Sequence, residues 1–100
     1  MAFKVLITEW ANQDLGEIVR FISRDNPGAA ERFGHAMIDR LKMLSQFPFM
    51  GRMVPERGDP SVREIIHKPC RIIYRVREEA KVVEVLRFWH GARGEPPIPD

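Results

Sequence analysis

The sequence predicts an α+β domain: a small, mostly antiparallel sheet with an N-terminal helical hairpin packed on one face, in the order β-α-α-β-β-β. Three observations carry this. Arg71-Ile72-Ile73-Tyr74-Arg75-Val76 and Val82-Val83-Glu84-Val85-Leu86-Arg87-Phe88-Trp89 are strand-type runs, and the turn Glu78-Glu79-Ala80 is short enough to pair them as an antiparallel hairpin. Two stretches of helical periodicity meet at Asp25-Asn26-Pro27 with almost no loop between them. A third strand-type run, Val62 to His67, precedes the hairpin across the connection Lys68-Pro69-Cys70.

The elements follow in order. Phe3 to Ile7 is a short apolar strand, and Thr8 stands where a helix N-cap belongs. Ala11, Leu15, Ile18, Val19 and Ile22 then recur at helical spacing. Asn26 is placed to cap a second helix with Pro27 at its first position, where the missing N–H is not needed. Ala30, Phe33, Met37, Leu41 and Leu44 form the apolar stripe of that helix, which ends near Phe47-Pro48. Phe49 to Pro60 reads as loop, because it holds Gly51, Pro55, Gly58 and Pro60. Residues 1–93 make one domain, and 94–100 form a proline-rich C-terminal tail unsuited to a core element.

With 44% hydrophobic and 30% charged residues, the composition is that of a globular chain able to fill a two-layer core. Residues 1–50 balance six Lys/Arg against six Asp/Glu, whereas residues 61–77 set Arg63, Lys68, Arg71, Arg75 and Arg77 against the single acid Glu64. A local field of that kind attracts anions even though the formal net charge is only +2. Cys70 is the one cysteine, so an internal disulfide is excluded, and no metal-ligand spacing or phosphate-cradling glycine loop occurs; no metal or cofactor is expected. No run reaches the roughly eighteen apolar residues of a membrane span, and the start lacks a signal-peptide core, so a cytoplasmic protein without membrane contact is expected.

Strand alternation places Arg71, Ile73, Arg75 and Arg77 on one face of the hairpin and Ile72, Tyr74 and Val76 on the other. The apolar set, with Tyr74, faces the core; the guanidiniums then line the face without helices. A charged strand face is ordinarily a solvated one. Here Ile65, Ile73, Val85 and Trp89 are interleaved among the arginines with little compensating acid, a mixture that suits a binding surface. Trp10 and Trp89 are both expected to be partly buried.

Taken together, the residues resemble the toxins of the RelE/ParE superfamily, from bacterial type II toxin–antitoxin modules. The resemblance covers Lys4 to Arg93. It rests on Asp14-Leu15 with Ile18, Asn26-Pro27 with Ala29-Ala30, Phe47-Pro48-Phe49-Met50-Gly51-Arg52, Val62-Arg63-Glu64, Arg71 to Val76, and Val85-Leu86-Arg87 leading to His90. Order and spacing make the set specific, though no one motif is. The resemblance implies neutralisation by a cognate antitoxin, with Arg71, Ile73, Arg75 and Trp89 as antitoxin contacts.

Two activities occur in that superfamily. ParE-like members poison DNA gyrase without needing to be enzymes; RelE-like members cleave mRNA in the ribosome. In the first case Arg87 to Pro99 is the working end, with Arg63, Arg75, Arg87 and Arg93 meeting the target. In the second the chain is a metal-independent endoribonuclease, with Glu56 as base, His90 as acid and Arg71 as phosphate clamp. Each has a plainer role open to it: Glu56 as a loop acid paired with Arg52 or Arg57, His90 as a hydrogen-bonded strand end. Gly91-Ala92 follow His90 where such nucleases often carry a tyrosine, and residues 49–62 hold no lysine, so the sequence looks closer to the ParE-like branch. A degenerate toxin that only binds its antitoxin is a third possibility.

Overall fold

The computed structural model describes residues 2–100. The chain begins with strand β1 (Lys4–Ile7) and turns directly into helix α1 (Glu9–Asp25). Thr8 makes that turn possible: its Oγ1 accepts the Ala11 N–H at 3.3 Å and donates to the Val85 carbonyl at 2.7 Å. One hydroxyl thus caps the helix and ties its start to the sheet. Asn26 alone separates α1 from helix α2 (Pro27–Gln46). Its N–H donates to the Ile22 carbonyl, closing the first helix, while its Oδ1 accepts the Ala29 N–H at 3.0 Å, opening the second. Pro27 occupies the first turn, as the sequence requires.

After α2 the chain contributes a two-residue strand β2 (Arg52–Met53), then β3 (Val62–His67), β4 (Cys70–Arg77) and β5 (Val82–His90), ending in a 3-10 turn over Gly91–Arg93. The β2 strand falls inside the stretch expected to be loop. It forms because Arg52 and Met53 pair with Glu64 and Arg63 on β3, a long-range contact that periodicity over two residues cannot signal. The sheet order is β1-β5-β4-β3-β2, antiparallel except for the parallel β1–β5 pair, so the N- and C-terminal strands lie side by side.

The two helices cover one face. Ala11, Met37, Leu41 and Leu44 pack there against Ile65, Ile72, Tyr74, Val76, Val83, Val85 and Phe88. Side chains of this size contribute about 1.5–3 kcal/mol each on full burial, which makes this layer the main source of stability. Tyr74 is fully buried, as its place among the apolar set predicts, and its hydroxyl accepts the Gly51 N–H at 2.9 Å.

A second, smaller cluster sits on the opposite face, where the sequence predicts open arginines. Val54, Val62, Ile73, Leu86 and Trp89 form it, and Ile98 of the tail packs against them. A register shift between Ile73 and Tyr74 lets Leu86 and Arg87 stand against one residue of β4, which turns Leu86 into this cluster and directs Arg87 toward α1. Ile73 is fully buried and Arg75 is 9% exposed, and Ile65 and Val85, expected among the arginines, belong instead to the helix-side core, because they pair with Ile72 and Tyr74. Trp89 is buried at 5% exposure, but Trp10 is 52% exposed on α1, against expectation.

Candidate functional site

The second face of the sheet is built from guanidiniums whose partners come from three directions. Glu64, on β3, is fully buried and divides its carboxylate between Arg52 Nε (Oε2) and Arg71 Nε (Oε1), each at 2.6 Å. Arg71 also grips Glu56 in a two-pronged pair, Nη1 to Oε2 at 3.0 Å and Nη2 to Oε1 at 2.9 Å. The result is a four-residue chain, Arg52–Glu64–Arg71–Glu56, that fastens β2 and the following loop to β3 and β4. Hydrogen bonding to Arg71 holds the Glu56 carboxyl below its ordinary range. The Arg71 guanidinium is stabilised in its charged form by Glu56 and then by Glu64. The acid compensation that seemed missing from this face is supplied by a loop residue, and by Glu64 itself.

Arg87 is engaged elsewhere. Its Nε and Nη2 meet the two oxygens of Asp14 on α1, each at 2.7 Å, and Asp14 Oδ2 also accepts the Phe88 N–H at 3.2 Å. Strand β1 ends at Ile7, opposite Val85, so β5 beyond that point lacks a strand neighbour on that edge. The carboxylate of Asp14 takes the neighbour's place. Arg87 and Arg93 both stack over the Trp89 ring, at 5.0 and 4.2 Å. Arg63 fastens the chain after α2, donating to the carbonyls of Pro60 at 2.9 Å and Gly51 at 3.1 Å while covering the Phe49 ring.

The tail lies over this same face. Trp89 Nε1 donates to the Gly94 carbonyl at 2.9 Å, and Arg87 Nη1 to Pro97 at 3.3 Å. Arg57 Nη1 donates to Ile98 at 3.0 Å, and Arg75 reaches the carbonyls of Pro99 and Asp100 at 3.2 and 3.0 Å. Arg57 is also ion-paired with Asp100.

His90 lies apart from these groups. It pairs with Cys70 in the β4–β5 register, while Arg71 pairs with Trp89. Adjacent strand residues point to opposite faces, so His90 shares the helix-bearing side and Arg71 the other. There His90 borders an open groove of about 690 Å³, lined by Ile18, Phe21, Ile22, Pro69 and Cys70. Its Nδ1 accepts the Ala92 N–H at 3.1 Å, which closes the 3-10 turn. Burial pushes the Cys70 thiol up, away from reactivity. The structure thus joins Glu56 to Arg71 and leaves His90 on the other side of the sheet. Asp14 and Arg57 were not among the expected site residues. Asp14 stands in a motif of the family resemblance, but nothing local to it announces a partner 73 residues away.

The fold is that of the small RelE/ParE toxins, as comparison with solved structures shows. A chromosomal ParDE toxin–antitoxin system from P. aeruginosa aligns with a TM-score of 0.72 at 23% identity, covering 89% of this chain and 96% of that one. The RelBE2 toxin–antitoxin complex from Mycobacterium tuberculosis aligns with a TM-score of 0.66 at 22% identity, covering 90% and 99%. The family model of the ParE toxin of the type II toxin–antitoxin system parDE matches residues 5–94. The curated Toxin RelE1 of Caulobacter vibrioides is 31% identical over 93 residues, 91% of this chain and 96% of that protein. The chain belongs to the ParE toxin family, within the RelE/ParE superfamily of type II toxins. Among the described residues no helix is long and apolar enough to cross a membrane.

Proposed function

We propose that this toxin is a ParE-like growth inhibitor, cytoplasmic, that binds and poisons DNA gyrase and is neutralised by a cognate antitoxin. The observation that supports it is the separation of the three nuclease candidates. Glu56 and Arg71 neutralise each other, and His90 stands across the sheet from both. A base held below its ordinary range by a guanidinium is poorly matched to proton abstraction near neutral pH. A poison that acts by binding needs no such constellation. The proposed target contacts are Arg75, Arg87 and Arg93 around the last two strands, and Arg63, which stands on β3 opposite Tyr74 and so on the other face.

An antitoxin partner is supported by solved relatives, among them the RelBE2 complex and the intact RelBE complex of E. coli. Arg71, Ile73, Arg75 and Trp89 are its proposed contacts. The second reading, a ribosome-dependent mRNA endonuclease using Glu56, Arg71 and His90, is favoured by the name of the relative Toxin RelE1. It requires the Glu56–Arg71 pair to open and His90 to act from the other face.

Pulse labelling of DNA and protein synthesis after induction separates the two. Gyrase poisoning stops DNA synthesis first, with filamentation, and His90→Ala leaves toxicity nearly unchanged. An early stop in translation with cleaved messages, abolished by His90→Ala in a folded and antitoxin-binding chain, would overturn the proposal.

A further inference from the structure

We infer that the second face of the sheet is a peptide-binding groove for an extended, carboxylate-bearing chain, and that residues 94–100 are its resident occupant in cis. The floor is apolar: Ile73, Leu86 and Trp89, with Val54 and Val62, receive Ile98. The walls are donors. Trp89, Arg87, Arg57 and Arg75 present N–H groups to the carbonyls of Gly94, Pro97, Ile98, Pro99 and Asp100, and Arg57 adds an ion pair to the Asp100 carboxylate. Side chains of the domain thus read the tail's backbone along its length, as a receptor reads a peptide.

The tail has the properties such a groove selects. Pro96, Pro97 and Pro99 carry no N–H, so an extended segment can lie there without leaving donors unpartnered. Its one sizeable apolar side chain is the one seated on the floor. Charge points the same way. Arg71 and Arg87 hold acids of the domain itself, Glu56, Glu64 and Asp14, whereas among the described residues Arg57 meets only the acid of the tail and Arg75 meets only tail carbonyls. With the tail lifted, two guanidiniums would stand unpaired over an exposed Ile73 and Trp89. That combination fits a partner supplying a carboxylate and an aliphatic side chain on an extended backbone.

Attachment of the tail is weak by construction. The partly buried Ile98, the buried Pro96 and a few hydrogen bonds, most of them part-buried, are set against the ordering of seven residues, so the net gain is small. Tethering compensates, by giving the tail a high effective concentration that a partner in trans must overcome. The groove is therefore guarded and not sealed.

The test uses the full chain and a fluorescein-labelled peptide with the sequence of residues 94–100. Ile98→Asp removes the anchor from the tail without touching the sheet. The folded Ile98→Asp chain should bind the peptide at least tenfold more tightly than the wild-type chain, whose own tail competes. The indole N–H resonance of Trp89 should move in Ile98→Asp and return when peptide is added. Adding Arg75→Ala to Ile98→Asp should abolish the gain. Equal peptide binding by both chains, or none by a folded Ile98→Asp chain, overturns the inference. A purified antitoxin that leaves the Trp89 resonance unmoved would defeat the antitoxin assignment of this face and leave the peptide result standing.

Discussion

Gly51 is where the domain tolerates no side chain. A Cβ placed there would lie 2.7 Å from the Tyr74 hydroxyl and closer still to the Glu64 carbonyl oxygen, both parts of packed structure. Gly51→Ala must therefore displace β3 or the buried tyrosine, at about 1–3 kcal/mol. It should lower the urea midpoint while leaving the slope of the transition unchanged. Asp14 is constrained for a different reason. It answers both the Arg87 guanidinium and the backbone N–H of Phe88, and its side chain is only 6% exposed. Asp14→Ala would strand both groups and should cost about 3 kcal/mol, as breaking a buried pair does. Asp14→Asn keeps one acceptor and should cost less; equal losses in thermal unfolding would mean that the carboxylate charge, and not the retained acceptor or the space it fills, carries the contribution.

Among the elements, the helical hairpin is the most self-sufficient, since Asn26 ends one helix and begins the next within a single residue. The segment from β2 to β3 is the opposite case. It has little periodicity of its own and is held by Glu56 and Arg52 through Arg71 and Glu64. That attachment has a pH signature. The Glu56 carboxyl titrates lower in the folded chain than its ordinary value of 4.5, so its pairing stabilises the fold fully above that pH. The contribution fades as the pH falls through the folded value. Urea titrations of the wild-type chain and Glu56→Gln should therefore differ most at pH 7 and draw together as the pH is lowered below the ordinary carboxyl value. A difference that stays constant across the range would show that the pair contributes nothing through ionisation.

At the scale of the whole molecule, the sheet has two faces with different work. One is closed by helices and holds the larger core; the other is closed by a loop, ion pairs and residues 94–100. The gyrase reading belongs to this scale, because it needs a surface and not a catalytic constellation. His90→Ala is then expected to spare toxicity while Ile98→Asp alters the surface itself. The helices, the β4–β5 hairpin pairing and the core position of Tyr74 were legible in the sequence, because each is declared by spacing within a few residues: Ala30 to Leu44 at helical period, Ile72, Tyr74 and Val76 at strand period. The family was legible for the same reason, being carried by ordered local motifs from Asp14 to His90. What the tertiary structure alone decided is which charges meet. Glu56 finds Arg71, Asp14 finds Arg87, Asp100 finds Arg57, and His90 stands on the other face from Arg71. Alternation shows the face on which a side chain stands, but a strand bulge, a parallel β1–β5 pairing and a tail folded back over the sheet depend on contacts between distant residues, and local pattern carries no record of those.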